Sequence, residues 1–142
     1  MAKTYQVNGR VRIINRIMKA MIGLGIGPGQ MHMLTVKGRK SGKLYTTPIS
    51  IVSQEGERYL VAPYGDVGWV KNARAAGEVT LKRGRKEERL TIEAVDAEQA
   101  APVLKAYVAV EAITRPYFDA KPDSALEDFA AEADRHPVFR LG

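Results

Sequence analysis

The sequence predicts an α+β protein, a small and partly open antiparallel barrel with helices packed outside it. Three observations lead there. Strand-like segments at residues 32–37, 44–53, 58–62, 78–83 and 87–95 succeed one another through short turns. From residue 96 onward the apolar spacing changes to that of helices. No internal repeat, low-complexity tract or linker interrupts the chain, so a single domain is expected over 1–142, built from segments 1–27, 32–95 and 96–142. Hairpin-linked strands followed by helices are the order of an α+β fold.

The first element expected is a helix. Val11, Ile14, Ile17, Met18, Met21 and Ile22 recur at helical spacing, and Arg10, Arg12, Arg16 and Lys19 lie largely off that stripe. Gly23, Gly25, Gly27, Pro28 and Gly29 end it. Such a basic amphipathic helix either packs its stripe on the barrel, acts as a lid, or makes peripheral contact with an anionic membrane through residues 10–22. Among the strands, 87–95 alternates most clearly, with Leu90, Ile92 and Ala94 against Arg89, Thr91 and Glu93. "SQEGE" at 53–57 and "RGRK" at 83–86 read as hairpin turns. Residues 63–77 read as a loop and then a short helix stopped by Gly77. Asp96 with Gln99 and Ser124 with Glu127 have capping-box spacing, each before an apolar helical face. "PVFRL" at 137–141 is the candidate last strand.

Composition narrows the chemistry. The 142 residues contain no cysteine, which excludes disulfides, thiol nucleophiles and cysteine-ligated metal centres. His32 and His136 are the only histidines, so no metal site and no Ser-His-Asp triad is expected. The net charge is +6, unevenly spread. Residues 1–54 hold nine Lys or Arg and no acid, whereas 96–142 hold five bases and nine acids. The first third is therefore expected to face an anion, and the acidic last third argues against nucleic acid as a partner. No stretch approaches the ~20 apolar residues of a membrane span, and no signal-peptide pattern opens the chain, so a cytoplasmic location is expected.

Two clusters carry candidate chemistry. In "LTVKGRKSGKLYTTPI" (34–49), Arg39, Lys40 and Ser41 stand between Gly38 and Gly42. Cations, a hydroxyl and unhindered backbone N–H groups suit a phosphate or carboxylate; a merely solvated cationic turn is the alternative. The spacing is not that of a Walker A loop, and the glycines at 23–29 follow a helix pattern rather than a strand, unlike a dinucleotide fingerprint. In the second cluster, Pro63, Gly65 and Gly68 shape a loop beside Tyr64 and Trp69, with Asn72 three residues after Trp69. An aromatic next to exposed backbone fits a heterocycle site. A core tryptophan and a helix-capping asparagine are the alternatives.

Together, "LTVKGRKSGKLYTTPI" and "YLVAPYGDVGWVKNARAAGEVTL" resemble the deazaflavin-dependent nitroreductase family of actinobacteria over residues 32–95. That resemblance implies a flavin-reductase-like split β-barrel of about six antiparallel strands. It implies coenzyme F420, a deazaflavin with a phosphate and an oligoglutamate tail, with FMN the less favoured alternative. The implied reaction is hydride transfer from reduced F420 to an electron-poor or conjugated small organic acceptor. Matched residue by residue, Gly38, Arg39, Lys40 and Ser41 face the phosphate region. Thr47 and Pro48 lie beside the cofactor, and Ala62, Pro63, Tyr64 and Gly65 present backbone along the ring. Trp69 and Asn72 close the site, and Tyr117 is a candidate proton donor, with Tyr107 read as packing. Some family members carry a further base where this chain has Tyr45, and a lysine where it has Pro63-Tyr64-Gly65. The competing reading is a non-catalytic binder of lipid or fatty acid, or a cofactor carrier, on the same barrel. Either a monomer or a homodimer is compatible with the sequence.

Overall fold

Alternation in the sequence becomes alternation in burial. In β1 (Met31–Lys37), Leu34 and Val36 are fully enclosed, while Thr35 is half-buried and Lys37 exposed. The computed structural model describes residues 16–17 and 30–142. The expected lid or membrane-contacting helix at 10–22 and the glycine run 23–29 thus lie outside the described residues, except for helical Arg16 and Ile17. After β1 come β2 (Leu44–Gln54), β3 (Glu57–Val61), α1 (Gly68–Ala76), β4 (Glu78–Arg83) and β5 (Lys86–Ala94). Then follow α2 (Ala97–Val110), a 3-10 segment (Ala112–Tyr117), α3 (Leu126–Glu132), a 3-10 turn (Ala133–Arg135) and β6 (Val138–Leu141). The strands form an antiparallel barrel in the order β1-β2-β3-β6-β5-β4, of the expected α+β split-barrel class but closed rather than partly open. Among the described residues no helix is long and apolar enough to cross a membrane.

The chain divides into two compact units. The described part of the first comprises residues 16–17, 30–51 and 68–92, with Gly142. Its register places Leu34 opposite Thr47 of β2 and Leu81 of β4. Leu34, Val36, Val79 and Leu81 are buried to 2% exposure or less and form its interior. Helix α1 packs on β1 and β4 through a face of Val70, Asn72 and Ala73. It stops where Gly77 takes φ +75°, a left-handed conformation that ends helices.

The second unit comprises residues 52–67 and 93–141. It opens with a tight turn in which Glu55 and Gly56 both have positive φ, 51° and 79°. Two consecutive positive φ values match the right-handed twist of a two-residue hairpin. Helices α2 and α3 pack together over a core that includes Val61, Leu104, Val108, Phe118, Phe129 and Val138. Asp96 caps α2, accepting from the Gln99 N–H at 2.8 Å as its spacing predicts. The second expected box does not form. Ala125 is the N-cap of α3 without a side-chain bond, and Ser124 Oγ instead accepts from the Lys121 N–H at 2.8 Å. Serine served a local turn before the helix began, a competition intrinsic to its short side chain.

Candidate functional site

The basic hairpin is a built turn. Lys37 pairs with Leu44 at its mouth. Inside, the Gly38 N–H donates to Lys43 O at 2.6 Å and the Gly42 N–H to Gly38 O at 3.0 Å. Gly42 has φ +75°. At Gly38 the constraint is space, since a Cβ there would lie 2.6 Å from the Tyr45 ring. Ser41 Oγ accepts from the Lys43 N–H at 3.2 Å, so the serine closes the turn as well as facing outward.

Helix α1 grips this hairpin from the side. Asn72 Oδ1 accepts from the Arg39 backbone N–H at 3.1 Å and from Arg39 Nη1 at 2.7 Å. One buried amide oxygen thus holds both ends of an otherwise exposed arginine. That oxygen belongs to a neutral amide, and neither Arg39 nor Lys40 joins an ion pair among the described residues. Asn72 lies inside α1, not at its start, so the helix-cap alternative is set aside.

Between hairpin and helix lies a cavity of about 330 Å³. Gly38, Arg39, Lys40, Ser41, Thr47, Trp69 and Asn72, all singled out from the sequence, line it. Tyr45, Thr46 and Gly68 line it too; the sequence marks Gly68 as shaping the loop and Tyr45 as a departure from the family pattern, whereas Thr46 was missed although it sits inside the quoted motif. Trp69 is half-buried and lines the cavity, not a core residue. Pro48 is set back opposite Met33 in the β1–β2 register and does not line the cavity. A larger open cavity, about 1030 Å³, shares Gly38, Arg39 and Thr46 with it and runs along β1, β4 and β5 past Lys37, Lys82 and Arg89.

The remaining expected residues belong to the second unit. Ala62 donates its N–H to Pro137 O at 2.8 Å, Gly65 turns the chain at φ +90°, and Tyr64 meets the Tyr117 ring edge-on at 4.8 Å between centroids. Tyr107 is a core residue, as read from the sequence. Burial, reinforced by the charge of Glu111 and by Tyr64, pushes its hydroxyl far above the ordinary phenol range, against a smaller opposing effect of the Thr114 hydrogen bond. Sequence reading also passed over a buried pair in this unit, Glu132 and His136, with His136 Nε2 2.7 Å from Glu132 Oε1. Their i, i+4 spacing was the available signal.

The sequence profile of the F420H(2)-dependent quinone reductases matches residues 10–119. The chain belongs to that family. This family member is an oxidoreductase, and its cofactor is coenzyme F420. Among solved structures it is similar to one described as a domain-swapped dimer, at 22% identity and TM-score 0.59, covering 94% of this chain and 96% of that one. It is also similar to an F420-H2 dependent reductase, FDR-A, at 24% identity and TM-score 0.55, covering 80% and 95%. A FAD-binding protein from Mesorhizobium loti has the same fold at 13% identity and TM-score 0.50, covering 89% and 86%. Comparison with curated proteins returned no match. The residues of this F420-dependent reductase fit an anionic cofactor segment: two cations that join no ion pair among the described residues, a hydroxyl and a half-buried tryptophan line one cavity.

Proposed function

We propose that this F420-dependent reductase reduces an electron-poor or conjugated small organic acceptor of the quinone type, and that the 38–43 hairpin holds the cofactor's anionic segment. The observation carrying this is the convergence of Arg39, Lys40, Trp69 and Asn72 on the 330 Å³ cavity. When bound, reduced F420 supplies the hydride, so the protein needs no nucleophile or metal of its own. The chain's residues bind and orient. Arg39 and Lys40 supply charge, Gly38 lets the backbone approach, and Trp69 offers a flat apolar face. In the second unit, the family resemblance assigns Ala62, Pro63, Tyr64 and Gly65 to the ring. Tyr117 is the candidate proton donor to the reduced acceptor, its ring edge steadied against Tyr64. We also propose a homodimer, on the ground that one structural relative is described as a domain-swapped dimer.

Titration of F420 and FMN in parallel, followed by Trp69 emission, tests the cofactor site. Quenching by F420 in preference to FMN is expected. Replacing Arg39 and Lys40 together by Ala is expected to weaken F420 binding at least about tenfold, most at low ionic strength where charge is least screened. Unchanged affinity in the double variant removes the hairpin from the site. Turnover of F420H2 with a soluble quinone and a nitroaromatic decides the acceptor class.

A further inference from the structure

Beside the 62–65 loop lies a buried polar cluster that the chemistry above leaves unused. Glu132 and His136 each have side chains only 3% exposed. Burying two ionisable groups is costly unless their polar atoms find partners, and here they do. His136 Nδ1 lies 2.8 Å from the carbonyl oxygen of Pro63. A carbonyl only accepts, so Nδ1 carries a hydrogen and donates it. At the opposite edge, Nε2 shares a hydrogen with Glu132 Oε1 at 2.7 Å. The Asp119 N–H donates to that same oxygen at 3.1 Å, and the Ala120 N–H to Oε2 at 2.7 Å. Phe118 stacks on the imidazole, centroids 3.8 Å apart and planes 17° from parallel. The ring is held at both edges and on one face, so the direction of its Nδ1–H is set.

What that N–H grips is informative. Proline has no backbone N–H, so its carbonyl is the only backbone group by which residue 63 can be tied down. The neighbouring Ala62 N–H is bound to Pro137 O at 2.8 Å. Residues 136 and 137 therefore hold the loop at successive points, and His136 supplies the side-chain contact of the two.

We propose that His136 is a positioning residue of this reductase: oriented by Glu132, it fixes the Pro63 carbonyl and thereby the backbone of residues 62–65 that borders the F420 ring. The last step rests on the assignment of that loop to the cofactor proposed above; the strut itself does not.

Two amide replacements separate the two ring bonds. In His136→Asn the amide nitrogen stands near the place of Nδ1, keeping the Pro63 bond and losing Glu132. In His136→Gln it stands near the place of Nε2, keeping Glu132 and losing Pro63. Both lose the stack on Phe118, so a merely structural role lowers Tm in both and treats the loop alike. The expected result is that His136→Gln alone speeds hydrogen exchange at the Tyr64 and Asp66 amides of the cofactor-free protein by about tenfold, and weakens F420 binding by a similar factor. Phe118→Leu, which touches neither bond, is expected to lower Tm while leaving loop exchange and F420 affinity as in the native protein. Equal loop exchange in the two His136 variants, or a separation in exchange with no separation in affinity, overturns the proposal. If the native protein fails to bind F420, the functional reading falls, and loop exchange still decides the strut. Should a His136 variant not fold, the native protein decides: with 15N-labelled histidine, a slowly exchanging Nδ1 proton upholds the bond to Pro63 and a rapidly exchanging one overturns it.

Discussion

Asn72 illustrates how a residue picked for one reason works by another. Its place three residues after Trp69 marked it as a ligand contact, and the fold makes it an anchor for Arg39. Asn72→Ala is therefore expected to cost about 1 kcal/mol of stability and to weaken F420 binding about tenfold, because the arginine loses its fixed direction. Asn72→Asp keeps an acceptor oxygen but neutralises the guanidinium. Near-native Tm with weakened binding is expected, and calorimetry with an F420 titration checks both. Tyr107 gives a second prediction, with a definite sign. Its phenol is raised in the folded state, so the unfolded chain releases this proton first. The stabilisation is present in full below the ordinary value of 10.0 and is lost as pH rises from there towards the raised folded value. Urea unfolding at pH about 8 and about 11 should show native stability falling more between the two than that of Tyr107→Phe.

At the scale of elements, local chemistry was legible wherever a device needs only a few residues. Asp96 caps α2 as its spacing predicts, and the β1–β2 and β4–β5 hairpins begin and end within about a residue of the alternation pattern. Ser124 shows the limit. Its spacing to Glu127 satisfied the capping rule, yet the serine bonded to Lys121, a choice between two near-equivalent partners that spacing does not resolve. The Glu55-Gly56 turn gives the element-scale prediction. Glutamate at φ 51° is strained where asparagine is at ease. Glu55→Asn should stabilise the protein by about 0.5 kcal/mol, read as a rise in Tm or urea midpoint without a change in m-value.

Across the whole molecule, ligand binding reports on the assembled site. F420 at a hundredfold excess over its Kd is expected to stabilise the folded protein by about 2.7 kcal/mol, raising Tm by roughly 5–10 °C. FMN at the same concentration should shift it less, and a scanning-fluorimetry series at rising salt should show the F420 shift shrinking as screening grows. The sequence by itself determined the strand and helix pattern, the split-barrel class and the deazaflavin family, and it gathered the cations of the first third that are proposed here to hold an anionic ligand. Those properties are written in period-two and helical spacing, in turn residues and in local charge, which act over a few neighbouring positions. The tertiary structure alone decided which partners meet: Asn72 with Arg39 across 33 positions, and His136 with Pro63 across 73. No periodicity spans such distances. Those pairings depend on where each strand and helix returns in the folded barrel, and buried polar groups such as Glu132 and His136 are tolerated only because the returning chain satisfies them.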